Sequence, residues 1–312
     1  MVLFKRWLLL FLKGMAMGAA DVVPGVSGGT IAFISGIYED LLNSIRSINL
    51  HSLKLLKNEG PTAFWRAING NFLLALFSGI LLSIASFASL VSHLLESQPI
   101  LVWSFFFGLI VASIVYIFRQ LPRLRWPEWT FLWVGTLMAL GVSLAPPVQG
   151  STDWLMVFMA GTIAICAMIL PGVSGSFILL LLGMYPIMID AISGFHWQII
   201  LVFMLGCVTG LMAFARFLSW LLRHYHSCTI ALLTGFLLGS LYVVWPWRET
   251  LEVLIDSRGR ETILSSRLLL PAEFARVTGL DPKTFMATLC MVAGLLLVLG
   301  LEYLGGQQRK KL

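Results

Sequence analysis

Long apolar runs separated by short polar segments dominate the chain. Six of them predict membrane-crossing helices, because a helix needs about 17–25 mostly apolar residues to cross the hydrocarbon core of a bilayer. They lie at roughly 71–95, 100–118, 129–146, 198–222, 228–246 and 284–304. Two further apolar regions, 7–40 and 154–192, are each interrupted by the string PGVSG. Their arms are too short for a full crossing and predict two re-entrant helical hairpins, whose irregular backbone has to be buried in protein or hydrated.

The two interrupted regions are copies of each other. PGVSG at 24–28 recurs 147 positions later at 171–175. Further matches are Gly36 with Gly183 and Tyr38 with Tyr185 at 147 positions, and Gly79 with Gly206 and Gly108 with Gly235 at 127 positions. The change of register falls in the polar stretch after Tyr38, which is longer in the first copy. The chain is therefore predicted to be an internal duplication, with a first repeat at 1–150 and a second at 151–312.

Basic residues indicate how the repeats sit in the membrane. Short loops rich in Lys and Arg usually face the cytoplasm. If each hairpin returns to the side from which it enters, the segments placed in the cytoplasm are the ones carrying Lys5, Arg6 and Lys13; Arg46, Lys54, Lys57 and Arg66; Arg119, Arg123 and Arg125; Arg223; and Arg309, Lys310 and Lys311. The short loops near 96–98, 149–153 and 193–196 contain no Lys or Arg and are placed outside. Both termini are then cytoplasmic.

Three crossings per repeat is an odd number, so the second repeat is predicted to be inverted relative to the first. The expected fold is an all-α integral membrane protein with about six transmembrane helices and two re-entrant hairpins. Inverted repeats with broken helices near the midplane are the architecture of many secondary transporters.

Composition supports the membrane assignment. The 312 residues are 58% hydrophobic and 12% charged, whereas a soluble domain carries about 25% charged residues. The formal net charge of +6 is explained by orientation in the membrane and does not indicate a nucleic-acid partner. The four cysteines lie in apolar runs without metal-ligand spacing, so neither a metal nor another cofactor is predicted. The N-terminus resembles a secretion signal, but Lys13 cuts its apolar core short.

The repeated turn is the strongest candidate for binding. Glycines let backbone amides approach a ligand closely, hydroxyls donate hydrogen bonds, and the start of a helix favours an anion. The candidate binding residues are Ser27, Gly28, Gly29 and Thr30 in the first copy and Ser174, Gly175 and Ser176 in the second. The alternative is that small residues only let the hairpins pack tightly against neighbouring helices.

Three charged residues are candidates within or near the apolar regions. Asp21 stands among apolar residues and is therefore a functional candidate for ion coupling; the alternative is an acid that caps the turn. Glu39 is a weaker candidate for the same role, or an interfacial residue. Arg216 could bind phosphate in two-pronged fashion, or extend its side chain to the cytoplasmic surface near Arg223.

At these residues the sequence resembles the bacterial polyprenyl-phosphate transporter family. The similar strings are GAADVVPGVSGGTIAFISGIYEDLL at 18–42, LPGVSGSFILLLLGMY at 170–185 and TGFLLGSLYVVWPW at 234–247. The resemblance implies transport of undecaprenyl phosphate from the outer to the inner leaflet of the bacterial cytoplasmic membrane, which recycles this carrier lipid for envelope synthesis. It also implies coupling to protons or sodium ions, leaves room for a homo-oligomer, and carries headgroup roles to Asp21, Ser27, Gly28, Thr30, Ser174 and Ser176. Relatives often have an acid where Pro186 stands here.

Two other functions compete with a lipid transporter. A membrane undecaprenyl-pyrophosphate phosphatase would share the inverted hairpins, but its PG-x-S-R-S-G turn carries an arginine where Gly28 and Gly175 stand, and its acidic and histidine-bearing companion motif is missing. The string GVSGG at 25–29 also fits the nucleophile-elbow pattern, without the strand, His and acid which that pattern needs. A small-anion transporter would use the same turns but would not need Asp21.

Overall fold

A computed structural model describes residues 2–23, 26–120, 125–255 and 261–309. The described chain is mostly helical, as predicted. Pro24 and Gly25 of the first turn, and the basic residues Arg123, Lys310 and Lys311, lie outside the described residues.

The first half of the chain forms eight helices: α1 (Val2–Val22), α2 (Gly28–Ile34), α3 (Tyr38–Ser47), α4 (Leu50–Asn58), α5 (Pro61–Ala67), α6 (Gly70–Ser97), α7 (Pro99–Gln120) and α8 (Trp126–Leu144). The second half forms α9 (Trp154–Ile169), α10 (Gly175–Leu181), α11 (Tyr185–Ser193), α12 (Trp197–His224), α13 (His226–Ser240), β1 (Arg248–Ile255), β2 (Glu261–Leu268), α14 (Pro271–Thr278) and α15 (Thr284–Arg309). All six predicted spans coincide with helices.

These six helices differ in length and apolarity. In the described part of the chain, α6, α7 and α12 contain segments that are long and apolar enough to cross a membrane. The pair α10 and α11 is a fourth candidate, bent by 106° at the break between its helices. Helices α9 and α13 and the segment Thr284–Gly300 of α15 are apolar but shorter. The structure is that of a helical protein with several apolar segments of membrane-crossing character.

The interrupted regions are more finely divided than the sequence predicted. The arm before the first turn is the 21-residue helix α1, longer than expected. The arm after each turn is split in two by a glycine with positive φ, Gly36 at 70° and Gly183 at 63°. This backbone conformation is readily adopted by glycine because it lacks a Cβ atom. The matched glycines therefore end α2 and α10 at equivalent points.

Element boundaries follow the two sequence registers. Helices α10 and α11 begin 147 positions after α2 and α3, and α12 begins and ends 127 positions after α6. The difference of 20 positions corresponds to α4 and α5, which stand between α3 and α6 and have no helical counterpart between α11 and α12. The extra polar stretch in the first half is thus a helical hairpin.

The same helix contacts recur in both halves. At Gly79 in α6, an added Cβ atom would lie 2.2 Å from the carbonyl oxygen of Phe11 in α1; at Gly206 in α12, it would lie 2.1 Å from that of Phe158 in α9. Phe158 stands 147 positions after Phe11. The glycines allow the two helix backbones to touch, as small residues do between membrane helices. The pair α1–α6 therefore packs as the pair α9–α12 does.

The remaining long helices pair between the halves. Helix α7 packs against α15, and α8 packs against α13. A Cβ atom on Gly108 in α7 would lie 2.0 Å from the carbonyl oxygen of Met291, and one on Gly235 in α13 would lie 2.1 Å from that of Leu132. Met291 stands 159 positions after Leu132, which reveals a third register that the sequence comparison missed.

The polar segment after α13 contains a structure that the sequence did not predict. Strands β1 and β2 pair antiparallel, with Arg248 opposite Leu268. The indole nitrogen of Trp247 donates a hydrogen bond to the Pro282 carbonyl at 2.9 Å, and that of Trp245 donates to the Leu269 carbonyl at 2.9 Å. These bonds fix the sheet and α14 to the end of the helical bundle.

Candidate functional site

The two PGVSG turns lie against each other. Ser27, which is 1% exposed, precedes the first residue of α2. Its hydroxyl accepts a hydrogen bond from the Gly29 amide at 3.0 Å and donates one to the carbonyl of Met168, near the end of α9, at 2.7 Å. One side chain therefore caps α2 and also joins the first turn to the second.

Two further side chains of the first half hold the backbone of the second turn. The Thr30 hydroxyl oxygen accepts a hydrogen bond from the Gly172 amide at 2.9 Å, and the Tyr38 hydroxyl donates one to the Ile169 carbonyl at 3.1 Å. Both side chains are buried. Buried backbone groups need such partners because an unsatisfied one costs about 1–3 kcal/mol. Thr30 and Tyr38 thus stabilise the break between α9 and α10.

Glycine at position 29 is what allows this approach. An added Cβ atom would lie 2.6 Å from the carbonyl oxygen of Ile169 and 2.8 Å from that of Met168. Both contacts are with backbone atoms, which cannot rotate away. At Gly175 in the other copy, a Cβ atom would lie 2.8 Å from the Ala164 carbonyl oxygen. The packing role that small residues can play is therefore visible at both turns.

Asp21 folds back over the first turn. Its carboxylate oxygen Oδ1 accepts a hydrogen bond from the Gly28 amide at 2.6 Å, and a Cβ atom at position 28 would lie 2.5 Å from Oδ2. Glycine at position 28 therefore leaves space for the carboxyl group. The acid caps an amide of the turn, one of the two roles expected from sequence, and it also faces a cavity.

A cavity of ≈ 320 Å³ lies between the turns, with α9, α10 and α12 as its walls. Its polar lining is formed by Asp21, Ser27, Ser174 and Ser176, and its apolar lining includes Ile165, Met168, Leu179 and Phe203. The hydroxyl oxygens of Ser174 and Ser176 lie 2.9 Å apart in a hydrogen bond. One serine donates in this bond, so the hydroxyl hydrogen of the other is available to a ligand. The cavity has the size and mixed polarity of a ligand site.

The structure brings together most, but not all, of the predicted residues. Gly175 joins the cavity lining, whereas Gly28, Gly29 and Thr30 lie behind it in the turn contacts. Arg216 lies elsewhere: its guanidinium is 3.5 Å from the Ile48 carbonyl, where α3 ends. Glu39 is exposed, and its carboxylate lies 3.2 Å from the ring nitrogen Nε2 of His226. Roles for Arg216 and Glu39 therefore remain predictions without support from the cavity.

Sequence reasoning missed part of the site. Tyr38 was matched with Tyr185 but was given no role, although its hydroxyl joins the two turns. Phe203 and Cys207 line the cavity from α12 but lie in an apolar run with nothing to distinguish them. The recurrence of Tyr at equivalent positions was the one available signal.

Several apolar helices of membrane-crossing character are typical of a multi-pass membrane protein. Residues 17–262 match the VCA0040-like family, whose description is undecaprenyl phosphate translocase-like. The chain is 49% identical to a polyprenyl-phosphate transporter of Vibrio cholerae over 95% of this chain and 96% of the relative. It is 34% identical to a polyprenyl-phosphate transporter of Staphylococcus aureus over 78% of this chain and 88% of the relative. The chain belongs to this family, as the sequence resemblance predicted. No solved structure shows a significant match.

Proposed function

We propose that the protein translocates undecaprenyl phosphate from the outer to the inner leaflet of the bacterial cytoplasmic membrane and so recycles this carrier lipid for envelope synthesis. The observation that carries the proposal is the cavity, because it combines hydroxyls and a carboxyl group with an apolar wall. A phosphate headgroup on an isoprenoid chain has the same two-part chemistry. The names of the relatives in Vibrio cholerae and Staphylococcus aureus support the same substrate class.

In this proposal the headgroup is held by Ser174, Ser176 and the backbone of Gly175, which line the cavity. A phosphate in the membrane needs hydrogen-bond donors and compensation of its charge, because an unpaired ion there costs several kcal/mol. The isoprenoid chain follows the apolar wall of α9, α10 and α12 and stays among the lipid chains. Only the headgroup then has to be sheltered during transport.

Asp21 couples the movement to a cation, in the simplest case a proton. An ionised carboxylate in the cavity would repel the phosphate, so the headgroup and the charge on Asp21 exclude each other. A proton on Asp21 removes this repulsion while the lipid is bound. Its release toward the cytoplasm restores the carboxylate and favours departure of the headgroup. The protein acts in this account as a transporter and not as an enzyme.

The proposed architecture is an inverted repeat with two re-entrant hairpins and both termini in the cytoplasm. The recurrence of helix boundaries and glycine contacts in both halves supports the duplication. In the first hairpin, the Lys13 ammonium donates a hydrogen bond to the Ser35 carbonyl, 22 positions on, at 2.7 Å, which supports a chain that returns along α1. Transport by inverted repeats proceeds through movement of one repeat against the other around a central site.

The test is reconstitution in liposomes with undecaprenyl phosphate, following lipid movement and phosphate release in parallel. We expect movement that rises with an inward proton gradient, without release of phosphate. Ser176→Ala should weaken headgroup binding, on the order of 1–3 kcal/mol for a hydrogen bond to a charged group. Thr209→Ala is the matched control, because Thr209 lies exposed on α12 and donates to its own helix at 2.8 Å. Phosphate release without lipid movement would support a phosphatase instead.

A further inference from the structure

The two halves contribute unequally to the cavity, although the fold is repeated. Nine of its twelve lining residues come from the second half, and most of the equivalent positions in the first half are buried. Phe203 and Leu179 are half-buried in the cavity wall, whereas their counterparts Leu76 and Ala32 are each 0% exposed. Ser176 is exposed, whereas its counterpart Gly29 is buried. Two copies of one structural unit are thus in different states, one open and one closed.

The hydrogen bonds between the turns show the same asymmetry. The Tyr38 hydroxyl is buried and donates to the Ile169 carbonyl. Its counterpart Tyr185 is half-buried, and among the described residues its hydroxyl has no hydrogen-bond partner. Ser27 donates to the Met168 carbonyl near the end of α9, whereas its counterpart Ser174 pairs with Ser176, two positions further along its own half. Side chains at the first turn therefore bond to backbone groups at the second turn. Among the described residues, the equivalent side chains at the second turn make no such bonds to the first.

We propose that the first half holds a second binding cavity for the phosphate headgroup, closed in this structure, which opens as the observed cavity closes. This inference rests on the proposed function and on the repeated fold. The residues equivalent to the second-half lining include Met17, Gly18, Asp21, Gly28, Gly29 and Ile80. In an inverted repeat the second cavity faces the opposite side of the membrane. The two cavities are the loading and release sites for the same lipid.

Exchange of the turn contacts drives the change. In the second state the Tyr185 hydroxyl donates to the carbonyl of Val22, the counterpart of Ile169, and the contact made by Tyr38 is broken. The exchange is not complete, because the counterpart of Thr30 is Phe177, which has no hydroxyl. The observed state is therefore favoured by one additional hydrogen bond.

Asp21 belongs to both cavities. It lines the observed one, and it also occupies the position in α1 that Met168 occupies in α9. A single carboxyl group thus faces the headgroup in either state. The charge on Asp21 can therefore respond to a headgroup in either cavity, although only the first half carries the acid.

The test uses two thiol probes at equivalent positions, Cys207 and an Ile80→Cys variant. Each is studied in proteoliposomes after replacement of the other native cysteines by alanine, and its rate of reaction with N-ethylmaleimide is measured by mass spectrometry. Tyr38→Phe removes a bond of the observed state, so labelling of Cys207 should slow and labelling at position 80 should quicken. Tyr185→Phe removes a bond of the second state only, so labelling at position 80 should slow. The ratio of the two rates should change by about threefold to tenfold, in opposite directions for the two variants.

Tyr38→Phe and Tyr185→Phe each remove one hydroxyl group. Their different effects on labelling therefore distinguish an exchange between two states from a general loosening of the structure. Loss of a structural bond would quicken labelling at both positions in Tyr38→Phe and leave Tyr185→Phe unchanged. That pattern, or shifts in the same direction, would overturn the second cavity. Lipid transport is measured on the same vesicles: opposite shifts without transport would reject the proposed function and retain the second cavity, and transport with parallel shifts would reject the cavity alone.

Discussion

Replacing Ser27 by alanine tests whether the first turn supports the second. The hydroxyl makes two hydrogen bonds, accepting a buried one from Gly29 and donating a partly buried one to Met168. Loss of a helix N-cap costs about 0.5–2 kcal/mol, and a buried carbonyl left without a partner costs about 1–3 kcal/mol. The two effects act on neighbouring groups and are not strictly additive. We expect the free energy of unfolding to fall by about 2–4 kcal/mol.

Ser176→Ala provides the comparison. Among the residues that the structure describes, its hydroxyl bonds only to Ser174, and the side chain is exposed in the cavity, so water can replace the lost contact. We expect this variant to lose about 0.5–1.5 kcal/mol while weakening lipid binding. Stability is measured by SDS titration in mixed micelles, with circular dichroism and tryptophan fluorescence as probes. Equal losses in the two variants, or a greater loss for Ser176→Ala, would refute the reasoning that Ser27 joins the turns.

Three further changes test the acid, the turn contact and the topology. Asp21→Asn can still accept from the Gly28 amide, so it should keep lipid binding and fold while transport falls to the rate without a proton gradient; stimulation equal to the parent's in proteoliposomes would remove the acid from coupling. Gly29→Ala should lower the free energy of unfolding by about 1–3 kcal/mol in the same micelle titration, because the added methyl group overlaps backbone atoms. Gly141→Ala is the control: nothing lies within 4 Å of the added atom, so the change should be neutral or slightly stabilising. Similar effects of the two substitutions would contradict the close contact at Gly29. A thiol introduced at Ser151 should react with an impermeant reagent in intact cells, and one at Arg125 only after permeabilisation; the reverse would exclude the proposed orientation.

The helices were predictable because the membrane imposes a simple rule. Apolar runs of sufficient length have to satisfy their backbone groups internally and become helical, which placed all six long helices to within a few residues, apart from the end of α13. The two registers were also readable, because recurring glycines mark places where helix backbones touch. The third register was missed although a glycine pair marks it: Gly135 and Gly294 stand 159 positions apart, and a Cβ atom on either would lie 2.2 Å from a carbonyl oxygen of the neighbouring helix.

The site was predictable only in part. The repetition of the turn indicated its glycines and serines as candidates, and Asp21, Ser27, Ser174 and Ser176 do line the cavity. Their partners could not be predicted, because Ser27 bonds to a backbone atom of Met168, more than a hundred positions away. Arg216 has the chemistry for phosphate, but on α12 its guanidinium lies 3.5 Å from the Ile48 carbonyl at the end of α3, so its role in binding stays a prediction. Long-range placement, not residue type, decides which candidates meet.

The single acid in a duplicated fold sets the expected coupling ratio. Asp21 and Met168 are equivalent positions, so one carboxyl group serves where full symmetry would supply two. If the headgroup and the charge on Asp21 exclude each other, each transported lipid should be accompanied by one proton. The ratio is measured as proton flux, with a pH-sensitive dye trapped in the vesicles, against undecaprenyl phosphate flux in the same preparation. Met168→Asp should place a second carboxyl group at the observed cavity and raise the ratio toward two. A parent ratio of two, or a Met168→Asp ratio unchanged in a variant that still transports lipid, would show that the coupling group lies elsewhere.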